Sequence, residues 1–464
     1  RILLLVGVLL AVVSCKLLPV NNILNSHKSD VSSDKLLVSI MASTKSNSDL
    51  LIEKLKSCEQ TPSKSFDQFT EIRLGRNTYN FFTKFSEDSL ISNLPTFSMA
   101  DVGIIILSAK TSFETYPTQA ESGDSELYQA DQTSEFDELV SIYGAFYSTR
   151  TVLVLISDLE STDNDLGEKM FKEVKNKFVS RLSTLGYKVH TTAQILPINL
   201  STGANICHRT EELNWNSGQP LHRILTVLPS VNRYIEEKSP KARLAVLDVE
   251  SDDSGYKVTT FLIRGKLGGP STESIFSVCP AEIKFRARVY EDMEGEQLEE
   301  VSSGSIFKIS KLYTSPNLAA CSANDFPCYS KVGRGAYISV SDNYIACEHT
   351  TDVNLKVELT LNSNASPIEK ESELEFEIYF GGTYARAKLV SIHDEFMPSK
   401  YPQQILSRYV DGMIRESSYH AEIRIDSRTN FFFSNRNPAL AAFVMKVPYG
   451  PIIGFGSIKS RSDD

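Results

Sequence analysis

The sequence predicts an α/β domain followed by two antiparallel β-barrels, and a change of texture along the chain carries that prediction. Over residues 35–228 continuous apolar runs alternate with segments of helical apolar spacing, the pattern of a mainly parallel sheet covered on both faces. After Pro240 the helical spacing stops. Short strands of period-two alternation take over, separated by Gly, Pro, Asn and Ser turns, as in small barrels. The chain of 464 residues leaves room for two such modules of roughly 100 residues each.

The elements follow in order. KLLVSIM (35–41) reads as a buried strand and NSDLLIEKLKSC (47–58) as a helix. VGIIILSA (102–109) is a continuous apolar strand, TSEFDELVSIYGAF (133–146) an amphipathic helix and TVLVLIS (151–157) another buried strand. A long helix over 166–187 stops at Gly186, a common helix terminator. QILPINL (194–200) is a further strand and QPLHRILTVL (219–228) a closing helix. The expected boundaries are a signal-like segment over 1–15, a polar linker over 16–34, the α/β domain over 35–240, and barrels over 241–350 and 351–464.

The apolar run from Ile2 to Val13 follows Arg1 and ends at Ser14 and Cys15. It is shorter than the about 20 residues of a membrane-spanning helix and reads as a secretory signal. VVSC (12–15) also fits a loose lipoprotein cleavage box, and the polar segment after it a plastid-type transit segment. Membrane contact is expected only through this segment. Net charge is -10, which gives no general pull toward RNA or anionic lipid and leaves room only for a local basic face; DNA is not an expected partner. Without Cys15 six cysteines remain: Cys58, Cys207, Cys279, Cys321, Cys328 and Cys347. An even number suits disulfides of unspecified pairing in an oxidising compartment. Asn199-Leu-Ser201 and Asn364-Ala-Ser366 are formal N-glycosylation triplets.

Several stretches point to one family. LVSIMASTKSNSDLLIEKLKSC has the spacing of a phosphate loop and its helix, and ADVGIIILSA that of an Ala-Asp strand. FKEVKNKFVSRLSTLGYKV, ILPINLSTGANI and LNWNSGQPLHRIL follow one another, and NPALAAFVMKVPYGPIIGFGSIK closes the chain. In these stretches, over about residues 35 to 460, the chain resembles the elongation factor 1-alpha family of translation GTPases. The GTP-binding release factor and the ribosome-rescue GTPase share that layout. The resemblance implies a Ras-like, P-loop GTPase-type domain followed by two barrels. It also implies GTP and Mg2+ as ligands and the ribosome or tRNA as partners.

The residues that do this chemistry are largely replaced. A phosphate loop, G-x-x-x-x-G-K-[ST], uses glycines to wrap backbone N–H groups around phosphates, a lysine to hold them and a hydroxyl to bind magnesium. Met41 and Ser46 stand at the glycines and Asn47 at the lysine; only Ser48 matches, at the magnesium hydroxyl. A shortened loop using Lys45-Ser46 is the alternative. The second switch is expected near IRLGRNTYNFF (72–82), which offers Leu74-Gly75 without an aspartate before it or a histidine after it. The first switch shrinks to the stretch between Cys58 and Phe69. The guanine-reading Asn-Lys-x-Asp falls on Ser157-Asp158-Leu159-Glu160, and the later Ser-Gly/Ala contact on Asn199-Leu200. Each lost charged hydrogen bond is worth about 1.5–3 kcal/mol. Together the losses come to roughly 5 kcal/mol or more, about three to four decades of affinity.

Other constellations read more plainly. Cys321, Cys328, Cys347 and His349 lack a known zinc spacing; a Cys321–Cys328 disulfide or free thiols fit better. His190, His208 and His222 suggest no triad, Trp215 is a packing residue, and Glu291 to Glu300 is a solvated acidic loop. Ala441-Ala442 replaces the family's Gly-Arg, which weakens one tRNA-contacting surface. The residues therefore predict a pseudo-GTPase that acts as a binding or scaffold module for a protein partner in the secretory pathway, with no catalytic residue and no metal ligand. The alternatives are a working GTP-binding factor of the cytoplasm that delivers a tRNA or release factor to the ribosome, and an organelle-targeted translation factor.

Overall fold

The computed structural model describes residues 35–42, 45–58, 63–75, 77–83, 90–110, 135–147, 151–159, 164–184, 194–228, 242–252, 255–268, 275–279, 283–287, 289–310, 334–340, 354–362, 368–369, 375–380, 383–396, 413–414, 418–425 and 441–461. The signal-like segment, the polar linker, Cys321, Cys328, Cys347, His349, His190 and Asn364 lie outside them.

The first sheet holds β1 (Lys35–Ala42), β2 (Lys64–Ser65), β3 (Phe69–Leu74), β4 (Asn77–Phe82), β5 (Val102–Ser108), β6 (Thr151–Ser157) and β7 (Gln194–Pro197). Their spatial order is β2-β3-β4-β1-β5-β6-β7. The strands from β4 to β7 pair in parallel through β1, and β3–β4 is an antiparallel hairpin on the edge. Every residue of β5 is buried, as expected of a central strand covered on both faces. Asp101, just before β5, secures it to β1: its carboxylate accepts from the Leu37 N–H at 2.8 Å.

Among the described residues, five α-helices flank this sheet: α1 (Lys45–Cys58), α2 (Leu94–Met99), α3 (Glu135–Phe146), α4 (Asn164–Thr184) and α5 (Leu221–Val227). On α4 the buried residues Phe171, Val174, Phe178 and Leu182 recur at helical spacing and form one apolar stripe. Trp215 packs against Phe171, with ring centroids 5.3 Å apart.

The second part has strands β8 (Arg243–Asp252), β9 (Gly255–Arg264), β10 (Lys266–Gly268), β11 (Phe276–Cys279), β12 (Ile283–Phe285), β13 (Val289–Glu291), β14 (Glu300–Ser302), β15 (Ile306–Ser310) and β16 (Tyr337–Val340). The third has β17 (Asn354–Leu361), β18 (Ile368–Glu369), β19 (Glu375–Phe380), β20 (Thr383–Phe396), β21 (Met413–Ile414), β22 (Ser418–Ile425), β23 (Ala442–Lys446) and β24 (Ile452–Arg461). Strands β17-β22-β20-β19-β23-β24 form a closed antiparallel barrel. The expected layout of an α/β domain followed by two β modules holds: among the described residues the first module is a half-barrel, the antiparallel sheet β12-β11-β16-β8-β9-β15-β13. At one end β12 pairs with β11; at the other β13 pairs with β15 and is bridged through Glu291 to Gln297.

The α/β part is packed against both β parts. One apolar core takes α3, α4 and the β5 side of the sheet together with Ala442, Val444, Ile452 and Phe455 of the barrel. A Cβ added at Gly144 of α3 would run into the Phe455 ring. Asn362 donates to Ser141 Oγ at 2.8 Å, and the Ile452 N–H donates to Glu138 at 3.2 Å. On the other side Leu37, Phe82, Met99 and Ala100 meet Ala245, Leu247 and Phe261. Gln68 there donates to Asp248 and Glu250.

Candidate nucleotide site

Parallel pairing brings the C-terminal ends of β1, β4, β5, β6 and β7 to one edge, where open α/β sheets bind their ligands. The residues at that edge decide what it holds.

β1 keeps its ladder to its last residue: Met41 pairs with Ile105 and Ala42 with Ile106. Met41, at the first glycine position, is fully buried in the core. Only residues 43 and 44 separate β1 from the start of α1 at Lys45. A connection that short cannot wrap successive N–H groups around a phosphate, and no glycine opens the turn. Ser48 is buried in the first turn of α1. The side chains of Lys45 and Ser46, on which the shortened-loop alternative rests, lie outside the described residues.

The placement of the second switch is corrected. Leu74-Gly75 closes the β3–β4 hairpin, with Gly75 at φ +62°. That turn lies at the N-terminal end of β4, on the edge opposite the ligand edge. The residue that does reach the ligand edge is Phe82, at the end of β4. It is fully buried, and the Arg334 guanidinium lies over its ring at 5.1 Å from the centroid. The period-two alternation of Ile72 with Leu74 and of Tyr79 with Phe81 is the sequence signal for this hairpin.

After β6, Ser157 Oγ is 3.4 Å from Leu107 O and 3.2 Å from Asp158 Oδ2. Asp158 has a left-handed backbone, φ 58°, and puts a negative charge where the resemblance expects a lysine. Leu159 is buried in the core; Glu160 lies outside the described residues.

The loop after β7 is satisfied from within. Asn199 Oδ1 accepts from Ser201 N at 2.9 Å, Ser201 Oγ at 2.7 Å and Thr202 N at 3.1 Å, a side chain replacing a backbone turn partner. Asn199 Nδ2 donates to Glu212, and Thr202 Oγ1 donates to the same carboxylate at 2.8 Å. Asn205, at φ 59°, donates to Pro197 O at 2.7 Å. Sequence reasoning missed Glu212, since no pattern links it to Asn199 before folding. Asn199 is also 4% exposed, so its glycosylation triplet is closed to a transferase in the folded chain.

A disulfide ties this loop to α1. Cys58, the last residue of α1, is bonded to Cys207, with Cα atoms 5.0 Å apart across 149 residues of sequence. Next to it Gly203, at φ +81°, lies against the Lys54 side chain. Among the described residues no cluster of His, Cys, Asp or Glu is arranged to hold a metal ion, and no helix is long and apolar enough to cross a membrane. At the described positions, Met41 and Phe82 are buried in apolar cores and Asp158 stands where the resemblance expects a lysine.

No family model matches the chain. It is 28% identical over 131 residues to elongation factor 1-alpha of Sulfurisphaera tokodaii, covering 28% of this chain and 27% of that protein. Over 156 residues it is 28% identical to the elongation factor 1-alpha of Ignicoccus hospitalis, covering 33% and 31%. The matches thus span about a third or less of the length of these relatives. The Saccharomyces cerevisiae Ski7 GTPase-like domain bound to GTP matches 95% of this chain and 99% of its own at a TM-score of 0.61 and 12% identity. Translation elongation factor SelB from Methanococcus maripaludis, in complex with the GTP analogue GPPNHP, matches 93% and 80% at 0.56 and 12%. The structural matches show that the chain has the fold of these translation GTPases, and the archaeal matches show a sequence likeness to elongation factor 1-alpha over about a third of the chain or less.

Proposed function

We propose that this chain is a pseudo-GTPase: a translation-GTPase fold kept as a binding and scaffold module for a protein partner. The observation that carries the reading is the two-residue link between β1 and α1, which leaves no loop to cradle phosphate. Phe82, Asp158 and the Asn199–Glu212 network extend the argument to the switch and the base site. The Cys58–Cys207 disulfide supports an oxidising compartment, in line with the secretory reading of the first residues.

Titration calorimetry of GTP and GDP with Mg2+ into the purified chain tests this. No heat of binding at high micromolar ligand is expected; tight, guanine-selective binding sinks the proposal. A second reading, a nucleotide-binding translation factor acting with the ribosome or tRNA, is favoured by the GTP and GPPNHP held by the matched structures. The same titration separates the two.

A further inference from the structure

The barrel carries a cavity of about 630 Å³ lined from β19, β20, β22 and the turn after β23. Its floor is apolar, with Phe376, Ala387 and Leu389. Three cations, Arg386, Lys388 and Arg424, stand around it. Lys388 is paired with Glu375 at 2.8 Å and Arg424 donates to Asn354 at 3.2 Å. Arg386 pairs with no carboxylate among the described residues; Glu377, opposite it across β19–β20, accepts from Tyr379 Oη at 2.8 Å.

The apolar side chains nearby are unusual. Among the described residues few large hydrophobics are exposed, and Val390 (40%) and Tyr449 (100%) both line this cavity. Tyr384 (53%) shares the outward face of β20 with Arg386, Lys388 and Val390, because alternate residues of a strand point the same way. Tyr and Arg around an apolar floor are the composition of a protein-binding hot spot.

We infer that this face of the barrel binds an acidic peptide segment of a partner protein, one that sets carboxylates on Arg386 and Arg424 and an apolar side chain between Val390 and Tyr449. Charge complementarity selects that occupant. The lining sets three cations, Arg386, Lys388 and Arg424, against one carboxylate, Glu375, so it offers an acidic segment a local attraction on a chain of net charge -10. A nucleic acid fits less well: the cations are few, one is already paired, and Glu375 and Glu377 lie among them. The inference rests on the scaffold reading, but calorimetry with nucleotide tests that reading and peptide binding tests this one, so either can fail alone.

The experiment is fluorescence anisotropy on the full chain. The probe is a fluorescein-labelled peptide that alternates glutamate with phenylalanine, compared with its lysine counterpart and a labelled single-stranded RNA. Binding of the acidic peptide is expected, weakened about tenfold or more by Arg386→Glu, Arg424→Glu or Tyr449→Ala. All three sites are exposed, so an unchanged melting temperature shows that each variant is folded. The inference is overturned by no binding of the acidic peptide, by equal binding of the lysine peptide, by stronger binding of the RNA, or by folded variants that bind as well as the parent.

Discussion

At the scale of single residues, the ligand edge of the sheet has been turned inward. Met41 is fully buried where the resemblance expects a glycine, Phe82 is fully buried at the ligand-edge end of β4, and both belong to apolar cores. Restoring the family's residues one at a time therefore damages the fold without rebuilding the site. Met41→Gly combined with Asn47→Lys is expected to cost about 2–5 kcal/mol in chemical denaturation, because it empties a packed core position. It is expected to gain no GTP affinity in calorimetry, because the connection is still too short. A gain in affinity would show that residue identity, not loop length, is what fails. Asn199→Ala, which releases the turn and leaves Glu212 with one donor fewer, should cost about 1–3 kcal/mol, read as a lower melting temperature.

At the scale of elements, two fastenings hold the α/β part. The Cys58–Cys207 bond closes a loop of 149 residues between the end of α1 and the segment after β7, and so limits the freedom of the unfolded chain. Replacing both cysteines with serine should lower stability by about 2–5 kcal/mol, and a reducing agent should lower the melting temperature of the parent but not of that variant. The second fastening is the approach of α3 to the barrel at Gly144. Gly144→Ala pushes a methyl group into Phe455 and should cost about 1–3 kcal/mol by overpacking. Unchanged denaturation of this variant would mean that α3 does not sit this close to β24 in solution.

At the scale of the whole molecule, the α/β part and the barrel share one apolar core, so heating should give a single cooperative unfolding transition in which they melt together. Glu138 lies at that junction. Burial, the largest influence, raises its pKa, with nearby Glu135 adding to the rise; the Ile452 N–H and Lys446 oppose it. A carboxyl group whose folded pKa is raised stabilises the fold fully below its unfolded pKa, and that contribution is lost as pH rises through the folded value. Relative to Glu138→Gln, the parent should therefore gain melting temperature as pH falls through the carboxylate range. Parallel pH profiles of the two proteins would show that Glu138 does not titrate at the junction.

Much of this architecture is legible in the sequence, because a strand covered on both faces must be apolar throughout and a packed helix must repeat its apolar positions. The runs at 102–108 and 151–157 and the stripe on α4 follow those rules whatever surrounds them. The erosion of the nucleotide motifs is legible for the same local reason: a missing glycine, lysine or aspartate is missing in any fold. Tertiary structure decided what fills their places. That Phe82 rather than a switch residue reaches the ligand edge, that Glu212 closes on Asn199 and that Cys58 finds Cys207 all depend on contacts that only the packed chain sets. Local pattern sets which segments can be buried, but only the packed chain sets which distant partners they meet.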